Sequence, residues 1–247
     1  MTEPVLILGA TSAIARHVAA AFARRGHTLF LAARDAREVE RAASDLRIRF
    51  GVRVESGEFD AEDYEEGHAE FLRRVVERVG EPHGVVLAFG YLGEQELAER
   101  DFDESGRIIG RNFAGAVSVL NLCAERLAAQ RGGFVIGISS VAGDVGRQSN
   151  YLYGASKAGL NVYLQGLRNR LFHAGVRVLT VKPGFVDTPM TYGMPRLFLV
   201  AAPEEVGEGI VRALERGRNV VYLPWFWRYV MLALRLVPEG LRKRLKL

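Results

Sequence analysis

Val5-Leu6-Ile7-Leu8-Gly9-Ala10-Thr11-Ser12-Ala13-Ile14-Ala15 stands almost at the start of the chain. Four consecutive apolar residues read as a buried strand, and the small residues after them as a tight turn. Ser12 to Arg25 then reads as a helix closed by Gly26. The same unit recurs down the sequence. Leu29–Ala33 is a second strand, with a charged helix from Ala36 to Phe50 after it. Val52–Phe59 is a third, followed by a helix over Tyr64–Val79. Gly84–Phe89 is a fourth. A long helical stretch, Phe102–Ala129, contains Asn112. Phe134–Ser140, Val176–Val181 and Asn219–Leu223 complete seven strands, separated by helices at Tyr153–His173 and Pro203–Arg216. Apolar strands alternating with helices predict an α/β fold with one doubly wound, Rossmann-type parallel sheet and helices on both faces.

The 247 residues suit one such domain, with 49% hydrophobic and 25% charged residues. No repeat or linker interrupts it. Residues 1–224 read as the domain and 225–247 as a basic, aromatic C-terminal extension. No apolar run is long enough to span a bilayer, and Met1-Thr2-Glu3-Pro4 has no signal-peptide character, so the expected location is cytoplasmic. The single Cys123 excludes an internal disulfide and reads as a buried structural thiol. Five histidines are scattered without metal-ligand spacing, so no metal is expected. Residues 218–247 hold seven basic residues and one acid, a net +6 against −2 for the remainder. Positive charge is thus a property of the tail, and nothing marks a nucleic-acid-binding body.

In doubly wound sheets, ligands bind beyond the carboxyl ends of the strands. The turn at Gly9, Thr11, Ser12, Ala13 and Ile14 can bring backbone N–H groups and a helix dipole to a pyrophosphate. Only Gly9 of the usual three glycines is present, with Ala13 and Ala15 at the other two places. Beyond the second strand, Arg34 precedes Asp35. An arginine there suits a ribose 2′-phosphate and an acid the free 2′-hydroxyl, so NADP(H) is favoured, with NAD(H) the alternative.

Tyr153 and Lys157 are four residues apart on a helix and share a face. A lysine cation beside a phenol, together with the positive nicotinamide ring of the oxidised cofactor, is expected to stabilise the phenolate and lower its pKa. Lysine is scarce here. Among 33 basic side chains only Lys157, Lys182, Lys243 and Lys246 are lysines, two of them in the tail. A chain that otherwise uses arginine keeps lysine where a compact ammonium is needed.

With these residues in hand, the chain resembles the short-chain dehydrogenase/reductase family over nearly its full length. Tyr153-Gly154-Ala155-Ser156-Lys157 matches the family's Tyr-x-x-x-Lys. Ser140 stands at the spacing of its substrate-binding serine, which leaves Ser139 a structural role. Asn112 matches the helix asparagine of a proton relay. Lys182-Pro183-Gly184-Phe185-Val186-Asp187-Thr188 resembles the segment over the nicotinamide, where Val186 and Thr188 would meet the carboxamide. Asp60 resembles the acid that contacts adenine. Ala88-Phe89-Gly90 stands where the family has Asn-Ala-Gly. The resemblance implies hydride transfer to a carbonyl, or from a secondary alcohol, and a homodimer or homotetramer.

The polar run Asp144, Arg147, Gln148, Ser149 and Asn150 could bind sugar-like hydroxyls, and the apolar loop from Met190 to Val200 could cover an apolar portion. The start of the chain, Ala88-Phe89-Gly90 and Trp225-Phe226-Trp227 resemble a branch of the family that reduces decaprenylphosphoryl-linked 2-keto-ribose. That implies a lipid-linked keto-sugar substrate. Aromatic, aliphatic and basic residues in the tail suit an anionic membrane surface, or equally packing on the body or a second subunit. The competing functional readings are a catalytically silent dinucleotide-binding redox regulator, which would not need the tyrosine–lysine pair, and a membrane scaffold, which would need no cofactor pocket.

Overall fold

The computed structural model describes residues 3–193 and 199–244. A seven-stranded sheet, every pairing parallel, runs in the order β3-β2-β1-β4-β5-β6-β7. Its strands are β1 (Val5–Leu8), β2 (Leu29–Ala33), β3 (Val54–Glu58), β4 (Gly84–Leu87), β5 (Phe134–Ile138), β6 (Arg177–Pro183) and β7 (Val220–Leu223). The helices are α1 (Ala13–Arg24), α2 (Ala36–Phe50), α3 (Glu66–Val79), short α4 (Gln95–Ala98), α5 (Phe102–Ile109), α6 (Gly115–Gln130), α7 (Tyr151–Leu171), α8 (Pro203–Glu215), α9 (Trp227–Leu236) and short α10 (Glu239–Arg242).

β1 shows why the opening stretch carries the fold. Val5 and Ile7 pack into one apolar layer with α1, α2 and α8, while Leu6 and Leu8 pack into the other with α3, α6 and α7. All four are at most 1% exposed, so each fully contributes its burial, about 1.5–3 kcal/mol per large aliphatic side chain. Local chemistry sets the helix starts. Ser12 caps α1 by accepting from Ala15 N at 3.2 Å, and Asp35 caps α2 by accepting from Arg37 N at 3.0 Å and Glu38 N at 2.9 Å. Pro203 opens α8 where its missing N–H costs nothing.

The seven strands and their helices agree with the sequence reading, apart from element ends and one internal break. The stretch Phe102–Ala129 is not one helix. Residues Gly110–Ala114 form a π-helical turn between α5 and α6, and Asn112 lies inside it. The cause is a paired contact across the chain. Asn112 Nδ2 donates to Tyr91 O and Asn112 Oδ1 accepts from Tyr91 N, each at 2.7 Å. Widening the turn is a recurrent way to present a functional side chain.

The extension after β7 returns to the body. Trp227 and Met231 on α9 pack with Val141 and Val145, and both are at most 2% exposed. Tyr229, Leu232 and Leu236 occupy the opposite stripe, with Trp225 in the turn before it, and all four are exposed. Among the described residues no helix is long and apolar enough to cross a membrane. Residues 194–198, part of the apolar loop after Met190, and 245–247 of the basic tail lie outside the described residues.

Candidate active site

The carboxyl ends of β1, β2, β4, β5 and β6 open onto one groove with a cavity of about 970 Å3, at the upper end for ligand pockets. At one end stand Arg34, Asp35 and Arg37. Next come Gly9, Thr11, Ser12, Ala13 and Ile14 at the start of α1, facing Asp60. Ala88, Phe89 and Gly90 form the middle. Ser140, Tyr153 and Lys157 close the far end against Pro183, Gly184, Val186 and Thr188. Asn112 does not line the groove but stands directly behind it. A Cβ on Gly90 would come within 3.2 Å of Asn112 Oδ1 and 3.3 Å of Lys157 Nζ.

Gly9 answers to the protein's own backbone. With φ +80°, a Cβ there would stand 2.5 Å from Phe89 N and 2.8 Å from Ala88 C. The β1 turn and the chain leaving β4 therefore cross in contact at the switch point of the sheet. This explains why one glycine suffices. It serves the crossing, while Ala13 merely borders the groove.

Tyr153 and Ser140 line the same end of the groove, and the serine hydroxyl acts on the tyrosine as a hydrogen-bonding neighbour that lowers its pKa. Ser140 Oγ also accepts from Ala142 N at 3.1 Å, which fixes the turn after β5. The Ser139 hydroxyl donates to Lys157 O at 3.2 Å. Lys157 Nζ donates to Ile138 O at 3.2 Å and stands 5.7 Å from the centre of the Tyr153 ring.

Burial pushes the Tyr153 pKa up to about 12, with the Ser140 hydroxyl opposing. Burial also brings Lys157 down to about 8. Near neutrality the pair is a protonated phenol beside an ammonium close to its own midpoint. Such a phenol is poised to give a proton to a carbonyl oxygen.

One expectation is corrected. Asp144 is not available to sugar hydroxyls. Its side chain has no exposed surface and accepts from Lys182 Nζ at 2.6 Å, Tyr222 OH at 2.7 Å and Arg235 Nη2 at 2.9 Å. Val186 and Thr188 both line the groove; Val186 O accepts from the Thr191 hydroxyl at 2.6 Å, and the same Oγ1 lies 3.3 Å from Thr188 Oγ1. Thr191 is thus a site residue the sequence reading missed; only its place within three residues of Thr188 hinted at it. Tyr91 was also missed. It lines the groove, donates to Glu104 Oε1 at 2.8 Å and lies under the Arg111 guanidinium.

At the other end, His68 is buried and its pKa is lowered by burial, so the ring is neutral. Its Nε2 lies 2.9 Å from Asp60 O, which only accepts, so Nε2 carries the hydrogen and Nδ1 faces Ser118 Oγ at 2.8 Å. This histidine fixes the end of β3 that presents Asp60. No cluster of side chains suited to a metal occurs among the described residues.

The residues fit a dinucleotide along the groove. Arginines stand at one end, the start of α1 next to them and the Tyr153 hydroxyl at the other end. Fold and site together define a nicotinamide-dinucleotide-dependent oxidoreductase. The short chain dehydrogenase pattern matches residues 3–195. An uncharacterised oxidoreductase of Mycobacterium tuberculosis is 40% identical over 243 residues, covering 98% of this chain and 96% of the relative. One of Streptomyces coelicolor is 38% identical over 244 residues, covering 98% and 95%. Among solved structures, a short-chain dehydrogenase from Sphingobium yanoikuyae in complex with NADPH superposes with a TM-score of 0.84 at 27% identity, over 98% of this chain and 96% of that one. The chain belongs to the short-chain dehydrogenase family.

Proposed function

We propose that the protein is an NADPH-preferring carbonyl reductase in which Tyr153 is the proton donor. The observation that carries this reading is the hydroxyl pair of Tyr153 and Ser140 at the closed end of the groove, with the Lys157 ammonium behind the ring. When bound, the nicotinamide supplies the hydride. Ser140 holds the substrate carbonyl oxygen, and Tyr153 passes its proton to that oxygen as negative charge develops there. Lys157 stabilises the phenolate left behind, and Asn112 keeps the Gly90 backbone against the lysine. Buried Tyr153 is protonated at the outset, which favours the reductive direction.

The coenzyme preference rests on Arg34 and Arg37. Asp35 spends its carboxylate on the cap of α2, whereas neither arginine side chain has an ion-pair partner among the described residues. The likeness to an NADPH complex supports the same choice. Titration with each coenzyme tests it. Arg34→Ser is expected to weaken NADPH binding by roughly tenfold to a hundredfold, the worth of a charge-assisted hydrogen bond, and to leave NADH within about twofold. Equal losses for both coenzymes would remove Arg34 from 2′-phosphate recognition.

For the substrate, we infer a keto-sugar carried on a polyprenyl phosphate, met at an anionic membrane surface. The support is the outer stripe of α9 and the turn before it, where Trp225, Tyr229, Leu232 and Leu236 are exposed beside Arg228. Vesicles containing phosphatidylglycerol should sediment the protein, and Trp225→Ala with Leu232→Ala should weaken this at least tenfold, since each large apolar side chain contributes about 1.5–3 kcal/mol when buried. Equal sedimentation of the variant would exclude this face as the contact.

A further inference from the structure

The buried Asp144 carboxylate joins three segments that are far apart in sequence. Lys182 comes from β6, immediately before Pro183 and Gly184 of the groove wall. Tyr222 comes from β7, and Arg235 from α9. Arg235 also donates from Nε to Asp144 O at 3.4 Å, so it reads both the carboxylate and the main chain. Asp144 itself lies four residues after Ser140, in the loop that leads to Tyr153. A second contact runs parallel to this one. The Trp227 ring fills the space a Gly184 side chain would take, with Nε1 only 1.9 Å from that Cβ position, and packs edge-on against Phe185 at 5.4 Å. The inner face of α9 therefore touches both loops that frame the proton-handling end of the groove.

We propose that Asp144 is a positioning residue. Through Arg235 and Lys182 it clasps the C-terminal helix to the groove, so that the seat of α9 sets the spacing between the Ser140 loop and the Pro183–Gly184 wall. The inference rests on the dinucleotide reading given above. A buried carboxylate that loses one cationic partner is left undercompensated, and the segments it joins must shift or take in water. Motion of α9 thereby reaches the nicotinamide end, although no residue of α9 lines the groove.

The chain has two tryptophans, which makes the clasp observable. In a Trp225→Phe background, Trp227 becomes the sole indole, lying against Gly184. Titration with NADP+, which does not absorb in the range of tryptophan emission, should shift Trp227 emission along a saturable curve. Added to that background, Arg235→Gln should weaken NADP+ binding about threefold to tenfold, within the range for residues that couple sites without touching ligand, and should shrink the emission change. Asp144→Asn should do the same or more. Arg235 is half exposed and carries the test if Asp144→Asn does not fold. Glu239→Gln, which breaks a tail ion pair away from the clasp, should change neither reading. Unaltered affinity and emission response in Arg235→Gln would overturn the clasp alone. If the Trp225→Phe chain binds neither NADP+ nor NAD+, the cofactor reading falls and the clasp with it.

Discussion

Tyr153→Phe should lower kcat for carbonyl reduction by about a thousandfold, within the range for loss of a positioned general acid, with NADPH affinity held within about twofold. The ring is retained, so its packing with Ala142 and Ile108 survives. What disappears is one hydroxyl and its interaction with Ser140, worth about 1 kcal/mol of stability at most. Rate and stability should therefore separate cleanly. Steady-state turnover of any ketone the unaltered enzyme reduces, measured beside coenzyme fluorescence, checks this. A variant keeping a tenth of the turnover would show that the proton comes from another group.

Gly9→Ala is the second large effect, and it acts on the fold. The new methyl would meet the Ala88–Phe89 backbone at 2.5–2.8 Å, at a φ of +80° that alanine rarely adopts. Left-handed backbone costs about 1–2 kcal/mol. Displaced main chain at the crossing costs more, because β1 and β4 are paired immediately upstream. A total near 3–5 kcal/mol would lower Tm by roughly 6–20 °C in a chain of this size. Gly26→Ala is the control. Its φ is +84°, but nothing lies within 4 Å of the added methyl. It should cost about 1 kcal/mol. Equal melting of the two variants would mean that the crossing yields freely and that Gly9 is needed only for its dihedral.

The comparison of sequence with structure follows a physical line. Strands buried on both faces announce themselves by uninterrupted apolar runs, so β1, β2, β4 and β5 were legible at once. The groove residues were legible because a parallel sheet sends every strand-to-helix turn to the same edge. Lysine scarcity proved informative twice, since Lys157 and Lys182 are both buried. What escaped depends on pairs distant in sequence. The π turn at Asn112 follows from Tyr91, 21 residues earlier. Asp144 looked free because its partners lie 38, 78 and 91 residues away. Trp225 and Trp227 look alike in sequence, yet one is exposed and the other buried, and only the seat of α9 on Gly184 separates them.

The central place of β1 has a consequence for biogenesis. During synthesis β1 emerges first and finds β2 within some twenty residues, but its other edge waits for β4. At about 5–20 residues per second, the ribosome takes seconds to deliver Gly84–Leu87. Throughout that interval Val5–Leu8 offers an open, wholly apolar strand edge, the kind that recruits other nascent chains. The residues that most firmly define the finished molecule are thus its most exposed liability while it is being made, and the demand for chaperone protection falls between the emergence of β2 and that of β4.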